Sequence, residues 1–129
     1  MERAKIDVPD HLPITKEKVI TLFDEYKEQM KRTGAQLGWA YEEAAFPYQI
    51  EEVNEHEIFL RGFERHYWGI FLFWDDSSLY IQLHPQSTHA DKGKANEFCK
   101  SFGPKLKGKV TLFNGRLMDF SLEKKKRKK

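Results

Sequence analysis

The chain has 129 residues, of which 40% are hydrophobic and 33% are charged, with a net charge of +2. This composition is typical of a globular protein with a sizeable core and excludes an intrinsically disordered chain. The longest apolar run is far shorter than the roughly 20 residues that cross a bilayer, and the N-terminus has no secretory signal. The single cysteine excludes an intramolecular disulfide. We therefore expect one cytoplasmic domain over residues 1–123.

The first elements are a short strand and a long helix. The segment "AKIDV" predicts a strand that ends before Pro9. The following segment "ITKEKVITLFDEYKEQMKRTG" predicts a helix with Thr15 as its N-cap and Gly34 as its stop. Its apolar residues recur at helical spacing and make one stripe, formed by Val19, Leu22, Phe23, Tyr26 and Met30.

The middle of the chain is rich in aromatic and β-branched residues, which favour strands. Short polar breaks separate four predicted strands and leave no room for crossover helices, so the strands are expected to form an antiparallel meander. These strands are Phe46–Val53, Glu57–Phe63, Tyr67–Trp74 and Leu79–His84.

A second helix is predicted from about Thr88 to Phe102. Thr88 and Asp91 have the spacing of a capping box, and "GP" at Gly103–Pro104 is expected to end the helix. Its apolar stripe comprises Ala95, Phe98, Cys99 and Phe102. Asn114–Gly115 then predicts a hairpin. The predicted fold is α+β, in the order β-α-β-β-β-β-α-β-β, with two helices covering one face of an antiparallel sheet.

The chain ends in a basic block. Without its six positive charges, residues 1–123 hold 16 Lys and Arg against 20 Asp and Glu, a net charge of −4. Like charges in a row repel, so residues 124–129 are expected to be a disordered tail. The tail either only keeps the chain soluble or binds a polyanion weakly and without specificity. The residues that would contact a polyanion are Lys124, Lys125, Lys126, Arg127, Lys128 and Lys129.

The strand Tyr67–Trp74 is apolar on both faces, whereas a strand with one wet face alternates. A two-residue turn at Glu64–Arg65 and a four-residue turn at Asp75–Ser78 assign its neighbours to faces. The face toward the helices then carries Phe59, Phe63, Trp68, Ile70, Leu72, Trp74, Leu79, Ile81 and Leu83. The second face carries Ile58, Leu60, Gly62, Tyr67, Gly69, Phe71, Phe73, Tyr80, Gln82 and His84. A slip of one residue in a turn would exchange a strand's faces.

The second face is too apolar to be left bare on a soluble monomer. Three coverings are possible: the C-terminal hairpin or the linker "GWAYEEAA", a second subunit, or a ligand. The candidates for a binding face are Tyr67, Phe71, Phe73, Tyr80, Gln82 and His84.

No residue pattern points to catalysis, a metal or a cofactor. The spacing of His84, His89 and Asp91 matches no zinc site, and Cys99 on an apolar stripe is typical of a small core residue. The chain contains neither of the glycine-rich loops that bind nucleotides. We therefore predict no catalytic residue, no metal and no cofactor.

The most favoured function is a non-enzymatic interaction protein that assembles through the second sheet face, as a homodimer. Two alternatives stay open. The first is an enzyme or sensor with a small apolar ligand in a pocket lined by Tyr67, Phe71, Tyr80 and His84. The second is a weak binder of single-stranded nucleic acid aided by the basic tail.

The segments "AFPYQIEEV", "YIQLHPQSTHADKGKANEFCK" and "FNGRLMDF" resemble a small family of uncharacterised proteins from spore-forming bacilli. The resemblance covers most of the chain beyond residue 15. It implies a bacterial, cytosolic α+β domain and assigns no functional residue.

Overall fold

The structure is a computed structural model that describes residues 2–9, 13–37 and 45–121. Over these described residues the structure has two helices and seven strands in the predicted order, and the α+β fold class is confirmed. In chain order the elements are β1 Arg3–Asp7, α1 Lys16–Leu37, β2 Tyr48–Asn54, β3 Glu57–Gly62, β4 Gly69–Trp74, β5 Ser78–Gln82, α2 His89–Leu106, β6 Lys109–Thr111 and β7 Leu117–Asp119.

Helix α1 begins where the sequence predicts and ends later. The Thr15 hydroxyl accepts a hydrogen bond from the Lys18 backbone N–H at 3.1 Å, and the predicted stripe packs into the core. The expected stop at Gly34 is wrong, because the helix continues to Leu37 and Gly34 is buried within it. A glycine inside a helix costs only about 1 kcal/mol relative to alanine, which tertiary packing easily offsets.

Helix α2 has the predicted capping box, with both hydrogen bonds between Thr88 and Asp91 present. The expected stop at Gly103–Pro104 is wrong, because the helix runs on to Leu106 and its end is formed by Lys107 in the left-handed conformation, with φ 52°. Proline removes only one helical hydrogen bond. The buried side chain of Leu106 and the capping bonds beyond it retain the last turn.

All seven strands form one antiparallel sheet in the order β2-β3-β4-β5-β1-β6-β7. The predicted meander is its first half. The first strand of the chain inserts between β5 and β6, and the predicted hairpin at Asn114–Gly115 extends the sheet at its end. Because this hairpin pairs edge to edge, it does not fold over the second face. The linker residues 38–44 lie outside the described residues.

The predicted register is right for β4 and β5, where Trp74 pairs with Leu79, and wrong for β3 and β4. Arg61 pairs with Gly69 instead of Trp68, so the connection from β3 to β4 is one residue longer than predicted, and within it the Tyr67 N–H donates to the Glu64 carbonyl at 2.9 Å. This slip of one residue exchanges the faces of β3 relative to β4.

The core lies between the helices and one face of the sheet. Ile58 and Leu60 are fully buried there, whereas the predicted Phe59 and Phe63 are not part of this core. The other strand residues of this buried core are Ala4, Ile6, Tyr48, Ile70, Leu72, Trp74, Leu79, Ile81 and Val110. In the part of the chain that the structure describes, neither helix has the length and apolarity that a membrane crossing requires.

Candidate functional site

The strand residues that point away from both helices form what we call the open face of the sheet. Strand alternation and the observed register assign its members. No described helix or loop packs over its centre, which carries aromatic side chains instead of the polar residues of a wet surface. Its central residues are Arg3, Lys5, Glu51, Glu57, Phe59, Arg61, Gly69, Phe71, Phe73, Tyr80 and Gln82, with Trp68 and His84 at the strand ends.

The aromatic rings of the open face contact one another in pairs. Phe73 and Tyr80 stack at 5.0 Å between centroids with an interplanar angle of 16°. Trp68 stacks on His84 at 4.4 Å, and Phe59 lies 4.7 Å from Phe71. Phe59 is buried on this face, whereas the other rings are half-buried. The cluster is therefore an ordered apolar surface that still contacts solvent.

Gly69 explains how Trp68 and Phe71 come to share a face. Its φ of 156° lies in a region that side chains rarely adopt, and it interrupts the alternation at the start of β4. The ring of Phe59 lies over Gly69, where an added Cβ would approach it to 2.4 Å. Glycine thus makes room for the ring at this position.

Two arginines flank the aromatic rings. The Arg3 guanidinium carbon lies 5.1 Å from the Phe73 ring centroid, and its Nε donates to the Gln82 side-chain oxygen at 2.9 Å. Arg61 lies 5.2 Å from the centroid of Phe59 and donates twice to Glu51, at 2.6 and 3.1 Å. These hydrogen bonds lower the pKa of Glu51 and raise that of Arg61.

A shallow cleft of about 210 Å³ opens between the rings and is lined by Glu57, Phe71, Phe73, Gln82 and His84. The Glu57 carboxylate is half-buried and makes no hydrogen bond or ion pair with any residue in the described ranges. His84 Nδ1 accepts a hydrogen bond from the Gln86 backbone N–H at 3.0 Å, so the neutral ring carries its proton on Nε2. The cleft therefore presents an acceptor and a donor beside apolar walls.

Asp91 holds the end of the open face in place from below. This fully buried carboxylate accepts hydrogen bonds from the backbone N–H groups of Thr88 at 2.9 Å, Trp68 at 2.9 Å and Gly69 at 3.2 Å. It also accepts one from the Tyr48 hydroxyl at 2.6 Å, and burial together with this carboxylate raises the pKa of Tyr48. Asp91 thus ties β2, β4 and α2 together and has no capacity left for a substrate.

The other residues that could take part in chemistry are not arranged for it either. Cys99 is buried among apolar side chains, and burial raises its pKa to about 12, so the thiol is not poised as a nucleophile. Over residues 2–9, 13–37 and 45–121, no three His, Cys, Asp or Glu side chains are grouped so as to hold a metal ion.

The structure brings together five of the six predicted binding-face residues: Phe71, Phe73, Tyr80, Gln82 and His84. Tyr67 is misassigned, because the longer turn directs its ring toward the core, 5.5 Å from that of Tyr48. Trp68, which we expected beneath the helices, takes its place. The predicted polyanion contacts in the tail lie outside the described residues.

Sequence reasoning missed Phe59 and both arginines as members of this face. Phe59 was missed because the face on which it lies depends on the β3–β4 register, and one additional turn residue changed that register. Arg3 was missed because nothing local shows that β1 enters the sheet beside β5. The alternation of Arg3 and Lys5 with buried Ala4 and Ile6 was the available signal for the side that they occupy.

The fold and its open face define a class of small α+β proteins with a seven-stranded antiparallel sheet that the helices cover on one side. The chain belongs to the family described as "Domain of unknown function (DUF1885)", whose model matches residues 4–122. The predicted membership of an uncharacterised family of bacilli is thereby confirmed.

A solved structure supports the same assignment. The chain is similar to a crystal structure of a protein of unknown function from Bacillus stearothermophilus, with 42% identity and a TM-score of 0.59. The match covers 88% of this chain and 94% of that one. No protein with a curated function has significant sequence similarity to the chain.

Proposed function

We propose that this protein is a non-enzymatic interaction protein that forms a homodimer through its open face. The proposal rests on one observation: β4 is apolar on both sides, with Phe71 and Phe73 on the side that the helices leave uncovered. Five strands of about five residues span roughly 24 by 17 Å. Apolar patches of several hundred Å² on monomers are commonly functional.

The charges at the open face favour a protein partner. The basic and acidic side chains assigned to it are equal in number, whereas a surface that follows phosphates is strongly basic. This balance argues against single-stranded nucleic acid as the principal partner of the face. The basic residues are Arg3, Lys5, Arg61 and Lys109, and the acidic residues are Asp7, Glu51, Glu57 and Asp119.

Analytical ultracentrifugation of the full chain tests the proposal. We expect twice the chain mass of 15.3 kDa at tens of micromolar protein. Phe73→Lys should give a monomer, because a charge replaces an aromatic ring at the centre of the face. Phe113→Lys is the matched control, since Phe113 is also half-buried but lies beside Lys92 of α2. A wild-type chain that sediments as a monomer at 100 µM (on the order of the weakest stable dimers) would end the proposal.

The cleft supports a second candidate, a small-molecule sensor or enzyme. Its Glu57 carboxylate, Gln82 amide and His84 imidazole would orient a small ligand against Phe71 and Phe73. We propose a thermal-shift screen of small polar aromatic and amine compounds on wild type and Gln82→Ala. Stabilisation of the wild type alone, with a monomeric sedimentation profile, would favour this candidate over the dimer.

We also propose a cytoplasmic location for the protein and weak polyanion binding by its tail, both of which the sequence led us to expect. A cytoplasmic location is supported by the single, buried Cys99, which needs no oxidising compartment. Weak polyanion binding by residues 124–129 is supported by their charge. The tail would assist the open face without providing specificity.

A further inference from the structure

Two oppositely charged residues of the open face lie on either side of its central aromatic pair. Glu57 on β3 lies to one side of the stacked Phe73–Tyr80 pair, and Lys5 on β1 lies to the other. The register places these four residues on one line across adjacent strands. Three strand spacings separate Glu57 from Lys5, about 14 Å, so the two side chains cannot pair within one chain.

The residues at the two ends of this line differ in how their charges are satisfied. Among the residues that the structure describes, Lys5 Nζ forms one long ion pair, 3.5 Å from Asp7, and its side chain remains almost half exposed. Glu57 is half-buried beside aromatic rings and has no partner in the described part of the chain. An ionised carboxylate in such surroundings gains from a cation that arrives with the partner.

Two-fold symmetry limits how a second copy can meet this face. A two-fold axis that crosses the strands between the rows of Arg3 and Lys5 would set Arg3 of each copy against Lys5 of the other, and like charges in contact cost binding energy. An axis parallel to the strands and between β4 and β5 exchanges β3 with β1 and β4 with β5. It sets Glu57 opposite Lys5, Phe59 opposite Arg3 and Phe73 opposite Tyr80.

We infer that the partner of the open face is a second copy of this chain, packed face to face about a two-fold axis parallel to the strands. In this dimer Glu57 of each copy pairs with Lys5 of the other. The inference rests on the proposed function and specifies its geometry. Sheets that pack face to face keep their strands within about 30° of parallel, which suits such an axis.

Charge reversal tests the pairing. Glu57→Lys and Lys5→Glu each replace two attractive contacts in the dimer by two repulsive ones, and each should raise the dissociation constant about 10- to 100-fold. The double variant Glu57→Lys/Lys5→Glu restores opposite charges at both contacts and should return to within about threefold of wild type. Because the two positions are too far apart to interact in a monomer, rescue reports a contact between copies.

Glu28→Lys is the control for the change in net charge, since Glu28 is exposed on α1 and belongs to the helix side. It should leave the dissociation constant unchanged, and thermal melting checks that every variant is folded. If the dissociation constant of the double variant is raised by the two single effects combined, the inferred geometry is overturned. In that case a wild-type dimer that Phe73→Lys dissociates still upholds the proposed function. A monomeric wild type would overturn both.

Discussion

Removing the Asp91 carboxylate should destabilise the protein severely, because four donors depend on it. In Asp91→Ala the backbone N–H of Gly69 and the hydroxyl of Tyr48 become buried groups without a partner, and each costs about 1–2 kcal/mol. The N–H groups of Trp68 and Thr88 are half-buried and reach water more easily, so each costs about half as much. The expected loss in the free energy of unfolding is about 4 kcal/mol, a large fraction of a typical stability.

Urea unfolding followed by tryptophan fluorescence measures this loss, and Asp91→Asn is the control. The asparagine oxygen can still accept the three backbone hydrogen bonds, and its amide can donate to the Tyr48 oxygen. The assistance of the charge is lost, and the buried Tyr48 hydroxyl also loses the acceptor of its own proton, so we expect about 2 kcal/mol. If Asp91→Ala is within about 1 kcal/mol of wild type, the hydrogen-bond account of this carboxylate is refuted.

Three further predictions concern pH, packing and the tail. Because the pKa of Tyr48 is raised in the folded state, the folded protein keeps the phenol proton, whereas the unfolded chain loses it above about pH 10. The free energy of unfolding should therefore fall above pH 10 by about 1.4 kcal/mol per pH unit. In Tyr48→Phe it should fall less steeply. Urea midpoints from pH 9 to 11 (a range of about one unit on either side of the ordinary tyrosine pKa) check this, and identical slopes would contradict it. Gly103→Ala should cost about 1–3 kcal/mol, because its Cβ would come within 2.7 Å of Phe120 and Val110, whereas Gly93→Ala in open space should gain about 0.5–1 kcal/mol. Thermal melts that shift in the same direction for both variants would refute the packing argument. Deleting residues 124–129 should leave the melting temperature unchanged and abolish weak retention on heparin, and full-length protein without salt-dependent retention would exclude polyanion binding.

What the sequence determined by itself is the local structure. The apolar stripes of both helices, the Thr88–Asp91 capping box and the turn at Asn114–Gly115 all appear as predicted. Each depends on residues within a few positions of one another, so the spacing of side chains is sufficient to specify it. The alternation in β4 and β5 likewise placed Phe71, Phe73 and Tyr80 on one face without knowledge of the fold.

Only the tertiary structure decided how distant segments meet. The place of β1 between β5 and β6 joins residues far apart in sequence, and no local pattern distinguishes this place from an edge. The face of Phe59 depended on one additional residue in the β3–β4 turn, since strand periodicity makes a single-residue slip reverse every side chain. The end of α2 depended on the burial of Leu106 in the core, which retains the last turn beyond Gly103–Pro104. Such choices are settled by which arrangement buries the whole core best, and that free energy belongs to no single segment.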